Sequence, residues 1–102
     1  MTFKVHITAM AAADMDDIDI HLLAHAPEQA EAVRLMIESA ILSLAEFPNR
    51  YALAPEAATH GKQVRQLVVR KYRILYMVIV NTVCILRIRH TAQAPLPPGE
   101  LN

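Results

Sequence analysis

Between Val64 and His90 runs the stretch VRQLVVRKYRILYMVIVNTVCILRIRH, and no other part of the chain restricts the possible folds so tightly. It is dense in β-branched and aromatic residues, which suit a pleated surface, and Arg70-Lys71 and Asn81-Thr82 fall at the spacing of tight hairpin turns. The spacing predicts three antiparallel strands, at about residues 64–69, 72–80 and 83–90. Arginines nevertheless recur through them, at Arg65, Arg70, Arg73, Arg87 and Arg89. An unpaired cation buried on both sides of a sheet is too costly to keep, so the strands must be two-faced.

The remainder of the chain supplies what covers the apolar side. Phe3, Val5 and Ile7 alternate with Lys4 and His6, the two-residue period of a strand over residues 2–8. Thr8 is placed to cap a helix over residues 9–25, with Ala11, Met15, Ile18 and Leu22 on one stripe and Asp14, Asp16 and Asp17 in its first half. Pro27 suits the first position of a second helix, predicted over residues 27–46 from the spacing of Ala30, Val33, Ile37, Ile41 and Leu44. Pro48 ends it, residues 49–63 read as a loop with one helical turn after Pro55, and the closing APLPPGELN predicts an extended tail. The order is β-α-α-β-β-β: an α+β domain over residues 1–93, with a helical hairpin on one face of an antiparallel meander that the first strand joins, and a proline-rich tail over 94–102.

Two-residue turns fix a register by counting. Val69 should pair with Tyr72, Arg65 with Tyr76, Val80 with Val83 and Tyr76 with Arg87. Alternation then places Arg65, Leu67, Tyr72, Ile74, Tyr76, Arg87 and Arg89 on one face, expected to be open and to bind a partner. Val68, Leu75, Met77, Ile79, Cys84, Leu86 and Ile88 fall on the other, expected to seat the helices.

Charge separates along the chain. Residues 1–60 hold three basic and nine acidic residues, a net of −6, and residues 61–102 hold seven basic and one acidic, a net of +6. A basic C-terminal half favours an anionic partner, although acidic helices could also neutralise basic strands within the molecule. The lone Cys84 has no partner for an intrachain disulfide, which points to a reducing cytoplasm, and no signal peptide or bilayer-spanning run is expected. His21 and His25 have the spacing of a metal pair but no third ligand beside them, and no glycine-rich phosphate loop is present, so neither metal nor cofactor is expected.

Taken together, R-x-L, then Y-R-I-x-Y, then I-L-R-I-x-H, preceded by AAADMDDIDIHLLAHAPEQAEAV and LAEFPNR, resemble the RelE/ParE superfamily of toxins from bacterial toxin-antitoxin modules over most of the chain, to about Gln93. The resemblance implies a toxin held by a cognate antitoxin, in a possible hetero-oligomer. In the RelE-like branch the target is mRNA on the ribosome; in the ParE-like branch it is DNA gyrase. Arg65 and Arg87 match positions where such ribonucleases carry phosphate-binding arginines, with Arg73 and His90 as further candidates for catalysis. RNA cleavage needs cations for the phosphorane and an acid or base at the ribose, and the paired lysines and late tyrosine of that branch are missing here. The resemblance therefore favours the ParE-like branch.

Overall fold

The computed structural model describes residues 2–97 and 99–101, and its elements follow the expected order. They are β1 (Lys4–Ile7), α1 (Ala9–His25), α2 (Pro27–Ser43), α3 (Glu56–His60), β2 (Arg65–Val69), β3 (Tyr72–Ile79) and β4 (Thr82–His90), with one 3-10 turn at Pro48–Arg50. Met1 of the expected domain, and Pro98 and Asn102 of the expected tail, lie outside the described residues. The fold is α+β, a four-stranded sheet with two long helices.

Thr8 does two jobs at the start of α1. Its Oγ1 accepts from the Ala11 N–H at 3.2 Å, satisfying one of the helix's orphan donors, and donates to the Ile85 carbonyl at 2.8 Å, which ties the helix to β4. Pro27 opens α2, and an ion pair between Asp19 and Arg34 joins the two helices. The second helix stops at Ser43 rather than residue 46, because the chain has to turn before Phe47, which is left-handed at φ 47° ahead of Pro48.

The sheet order is β1-β4-β3-β2, with β1 parallel to β4 and the other pairs antiparallel. The β2–β3 register is the expected one, Val69 opposite Tyr72 and Arg65 opposite Tyr76. The β3–β4 register is not. Thr82 already pairs with Ile79, so the turn is Val80-Asn81, and Tyr76 lies opposite Ile85 instead of Arg87. Between those rows a bulge leaves Leu86 as an extra residue, after which Leu75 pairs with Arg87 and Ile74 with Ile88.

The bulge decides which face is which. On the helix side lie Leu67, Val69, Tyr72, Ile74, Tyr76, Val78, Val83, Ile85 and Ile88, packed with Ala11, Met15, Ile37, Ile41 and Leu44. The assignment of helices to the Leu75 face is therefore corrected: α1 and α2 cover Leu67, Ile74 and Tyr76, which are 8%, 0% and 0% exposed. Arg87 and Arg89 are shifted to the opposite face by the extra residue, which clears the middle of the helix side of charge. The outer face carries its own smaller core of Ala54, Val64, Leu75, Leu96 and Leu101, built by the α3 region and the C-terminal segment.

Val80 pays a conformational cost for its turn. It is a β-branched residue at φ 57° and 90% exposed, so it loses rotational freedom without packing in return. Val80→Asn should raise stability by roughly 1 kcal/mol, because left-handed backbone costs a branched residue about that much and asparagine much less. Thermal unfolding should show a rise of a few degrees, and an unchanged midpoint would mean that the turn carries no strain.

Candidate functional site: the arginines and the α1–β4 cleft

Arg65 lies on the helix side, opposite Tyr76, and Arg87 and Arg89 on the outer side, so the predicted row of Arg65, Tyr76 and Arg87 does not form. Each guanidinium has found an internal acceptor. Arg65 Nη1 donates to the Tyr51 carbonyl at 2.7 Å. Arg73 forks onto Glu56, Nη1 to Oε1 at 3.0 Å and Nη2 to Oε2 at 2.8 Å, and also reaches Gln66. Arg87 forks onto Asp14 at 2.8 and 3.0 Å, and its Nη1 donates to the Glu100 carbonyl at 2.7 Å. Arg89 Nη2 donates to the Ala94 carbonyl at 2.8 Å.

Planar, two-pronged pairing of this kind is the strong form of the arginine–carboxylate contact. The Arg73–Glu56 pair is buried, 8% and 0% exposed, and Glu56 Oε2 also accepts from the Leu96 N–H at 3.1 Å. Burial alone would push the Glu56 carboxyl up, but the Arg73 and backbone hydrogen bonds outweigh it and hold the pKa at about 2. Hydrogen bonds to Asp14 hold the Arg87 pKa above its ordinary value against the opposing effect of burial. Asp14 serves the fold twice, since its Oδ2 also accepts from the Ile88 N–H at 2.9 Å, on the stretch of β4 that runs beyond its pairing with β1.

Tyr76 is not available at a surface. Its hydroxyl donates to the Pro48 carbonyl in the 3-10 turn after α2, and burial lifts its pKa to about 12 despite the nearby charge of Arg65.

A cleft of about 420 Å³ opens between α1 and the end of β4, lined by Asp14, Asp17, Ile18, His21, Tyr72, Arg87, Ile88, Arg89, His90 and Gln93. Tyr72 and His90 are paired across β3 and β4, and their rings meet edge to face at 5.5 Å. His90 Nδ1 accepts from the Ala92 N–H at 3.0 Å, so in the neutral ring the proton resides on Nε2. Of the predicted residues, the cleft thus gathers Tyr72, Arg87, Arg89 and His90 and leaves out Arg65, Leu67, Arg73, Ile74 and Tyr76.

Sequence reasoning allowed for internal neutralisation but did not name the acids that supply it. The charge split had raised neutralisation of basic strands by acidic helices, but nothing in it singled out Asp14 among its acidic neighbours, and Glu56 stood in the helical turn expected after Pro55 with no sign that its side chain points inward. Pro55 does start the short helix expected after it, and that helix carries the Glu56 side chain inward. Among the described residues no cluster of three or more histidine, cysteine or acidic side chains could hold a metal, and no helix is long and apolar enough to cross a membrane.

A helical hairpin over a four-stranded sheet of this order, with an arginine-bearing meander, is the architecture of the RelE/ParE toxins, and the chain belongs to the family of ParE toxins of type II toxin-antitoxin systems, parDE, matched over residues 5–95. It is the toxin of such a system. One similar solved structure is the chromosomal ParDE toxin-antitoxin system from P. aeruginosa, at 26% identity and a TM-score of 0.73, with 87% of this chain and 96% of that one covered. Another is the toxin-antitoxin complex RelBE2 from Mycobacterium tuberculosis, at 26% identity and a TM-score of 0.61, covering 91% and 95%. Among curated proteins none matches the sequence.

Proposed function

We propose that this toxin acts by binding DNA gyrase in the cytoplasm, is neutralised there by a cognate antitoxin, and does not cut RNA. The observation that carries this reading is the disposition of the four candidate catalytic residues. Arg65 lies half-buried on the helix side, away from the cleft and bonded to the Tyr51 carbonyl, Arg73 and Arg87 are each spent on a carboxylate, and of the four candidates the cleft brings together only His90 and the already paired Arg87. A ribonuclease needs its cations free and converging on one phosphate, with an acid or base in hydrogen-bond reach of the ribose. The match to ParE toxins and the likeness to a ParDE system support the same branch. Tyr72, Arg89 and His90, which line the cleft, are the residues we assign to partner contact.

The test is the purified toxin against gyrase, alongside its induction in cells. Inhibited supercoiling with transcripts left whole is the expected result. Cleavage within translated codons, with gyrase unaffected, would instead place the target at the ribosome and its mRNA. Absence of both effects would leave only an interaction module.

A further inference from the structure

Ahead of the bulge, the sheet register lines up three side chains that can ligate a metal. His6 of β1 lies opposite Cys84 of β4, and Cys84 lies opposite Met77 of β3. Residues directly opposite one another in a sheet point to the same side, so the three form a row across the strands on the outer face. His6 is exposed, and Cys84 and Met77 are half-buried, the methionine packed beside Leu86 at the margin of the outer core. The side chains of His6 and Cys84 make no hydrogen bond or ion pair among the described residues, so both are free to ligate.

We propose that this row is a binding site for a soft monovalent metal ion, Cu(I) in chemical class, held by Cys84 Sγ, a ring nitrogen of His6 and Met77 Sδ. The order of side chains along the row suits a single point of closure. The short ligand stands on the middle strand, and the longer ones on the flanking strands lean over gaps of about 4.5–5.5 Å between Cβ atoms. The donor set selects the ion. Thiolate and thioether are soft donors, and imidazole accepts copper as readily as zinc. Lys4, Thr82, Ile79, Leu75 and Leu86 are the row's neighbours on this face, and none is the acid that a hard divalent ion would require. As the ion binds, the thiol proton passes to solvent, and a thiolate with a monovalent ion is neutral, which a half-buried site tolerates. The ion would fasten β1 to β4 and β3 from the side away from the helices. The inference does not depend on whether gyrase or the ribosome is the target.

The test is a titration of the reduced full chain with Cu(I), without oxygen, in competition with the chromogenic chelator bicinchoninate. One ion per chain should bind, and the thermal unfolding midpoint should rise with the free ion concentration, because the ion binds only the assembled row. Cys84→Ser should abolish binding. His6→Ala and Met77→Leu change an exposed and a half-buried side chain and should leave the chain folded, yet each should weaken binding at least about tenfold, since losing a ligand costs no less than losing the group that orients one. An ion bound between the thiols of two chains, binding that survives Cys84→Ser, or no binding at all would overturn the proposal. So would an affinity left unchanged by either His6→Ala or Met77→Leu, because the row would then not act as one site.

Discussion

Arg73→Ala should be the most damaging single replacement on the outer face, costing about 3–5 kcal/mol, because it strands the Glu56 carboxylate in a site that excludes water. A domain of this size is stable by only about 5–15 kcal/mol, so the loss is a large fraction of the total and should be plain in urea unfolding. The double replacement Arg73→Met/Glu56→Leu should cost less than either Arg73→Ala or Glu56→Ala, since removing both charges leaves nothing to desolvate. A double variant as unstable as the singles would mean that the pair matters through its shape and not its charge. The same pair sets the acid limb. A carboxyl that titrates at about 2 in the folded protein and 4.5 when unfolded binds fewer protons when folded. Stability should therefore be complete above about pH 4.5 and decline as pH falls toward 2, by about 3 kcal/mol at most, and Glu56→Gln should flatten that decline.

The second large effect separates the two faces of one strand. Ile74→Ala, at a site with no exposure between β3 and the helices, should cost about 2–5 kcal/mol from lost transfer energy and the cavity left behind. Ile79→Ala, at 51% exposure on the outer face, should change stability by no more than about 0.5 kcal/mol. The expectation from alternation was the reverse, with Ile74 at an open surface and Ile79 under the helices. Comparable losses at both sites would refute the face assignment described above.

That reversal shows how far the sequence could be read. Periodicity and capping located α1 to the residue, at Ala9–His25 where Thr8 and the Ala11, Met15 and Leu22 stripe placed it, and the other elements to within two or three residues. The β2–β3 hairpin was equally legible, because Arg70-Lys71 lies between two unbroken alternations. The β3–β4 pair was not. Val80 takes a positive φ that branched residues avoid, so the turn fell one residue earlier than asparagine preference indicated, and Leu86 bulges in a run where nothing marks it. The earlier turn slides the pairing by two residues and changes no face, but the single bulged residue turns Arg87 and Arg89 to the other side of the sheet, so one unmarked residue became a large error about the arginines. The cleft was illegible for another reason: Asp17, His21 and Gln93 meet Tyr72 and His90 only after the chain has folded back, and no local spacing records that.

The parallel pairing of β1 with β4 has a consequence for how the protein is made. Lys4 is the neighbour of Thr82 and Ile7 of Ile85, so the first strand to leave the ribosome waits for the last one before it can be zipped into place. Until then the nascent chain has helices without the layer they cover. Closing such a distant contact is slow compared with forming the helical hairpin, which gives any protein synthesised at the same time an interval in which to meet the toxin before its surface is finished.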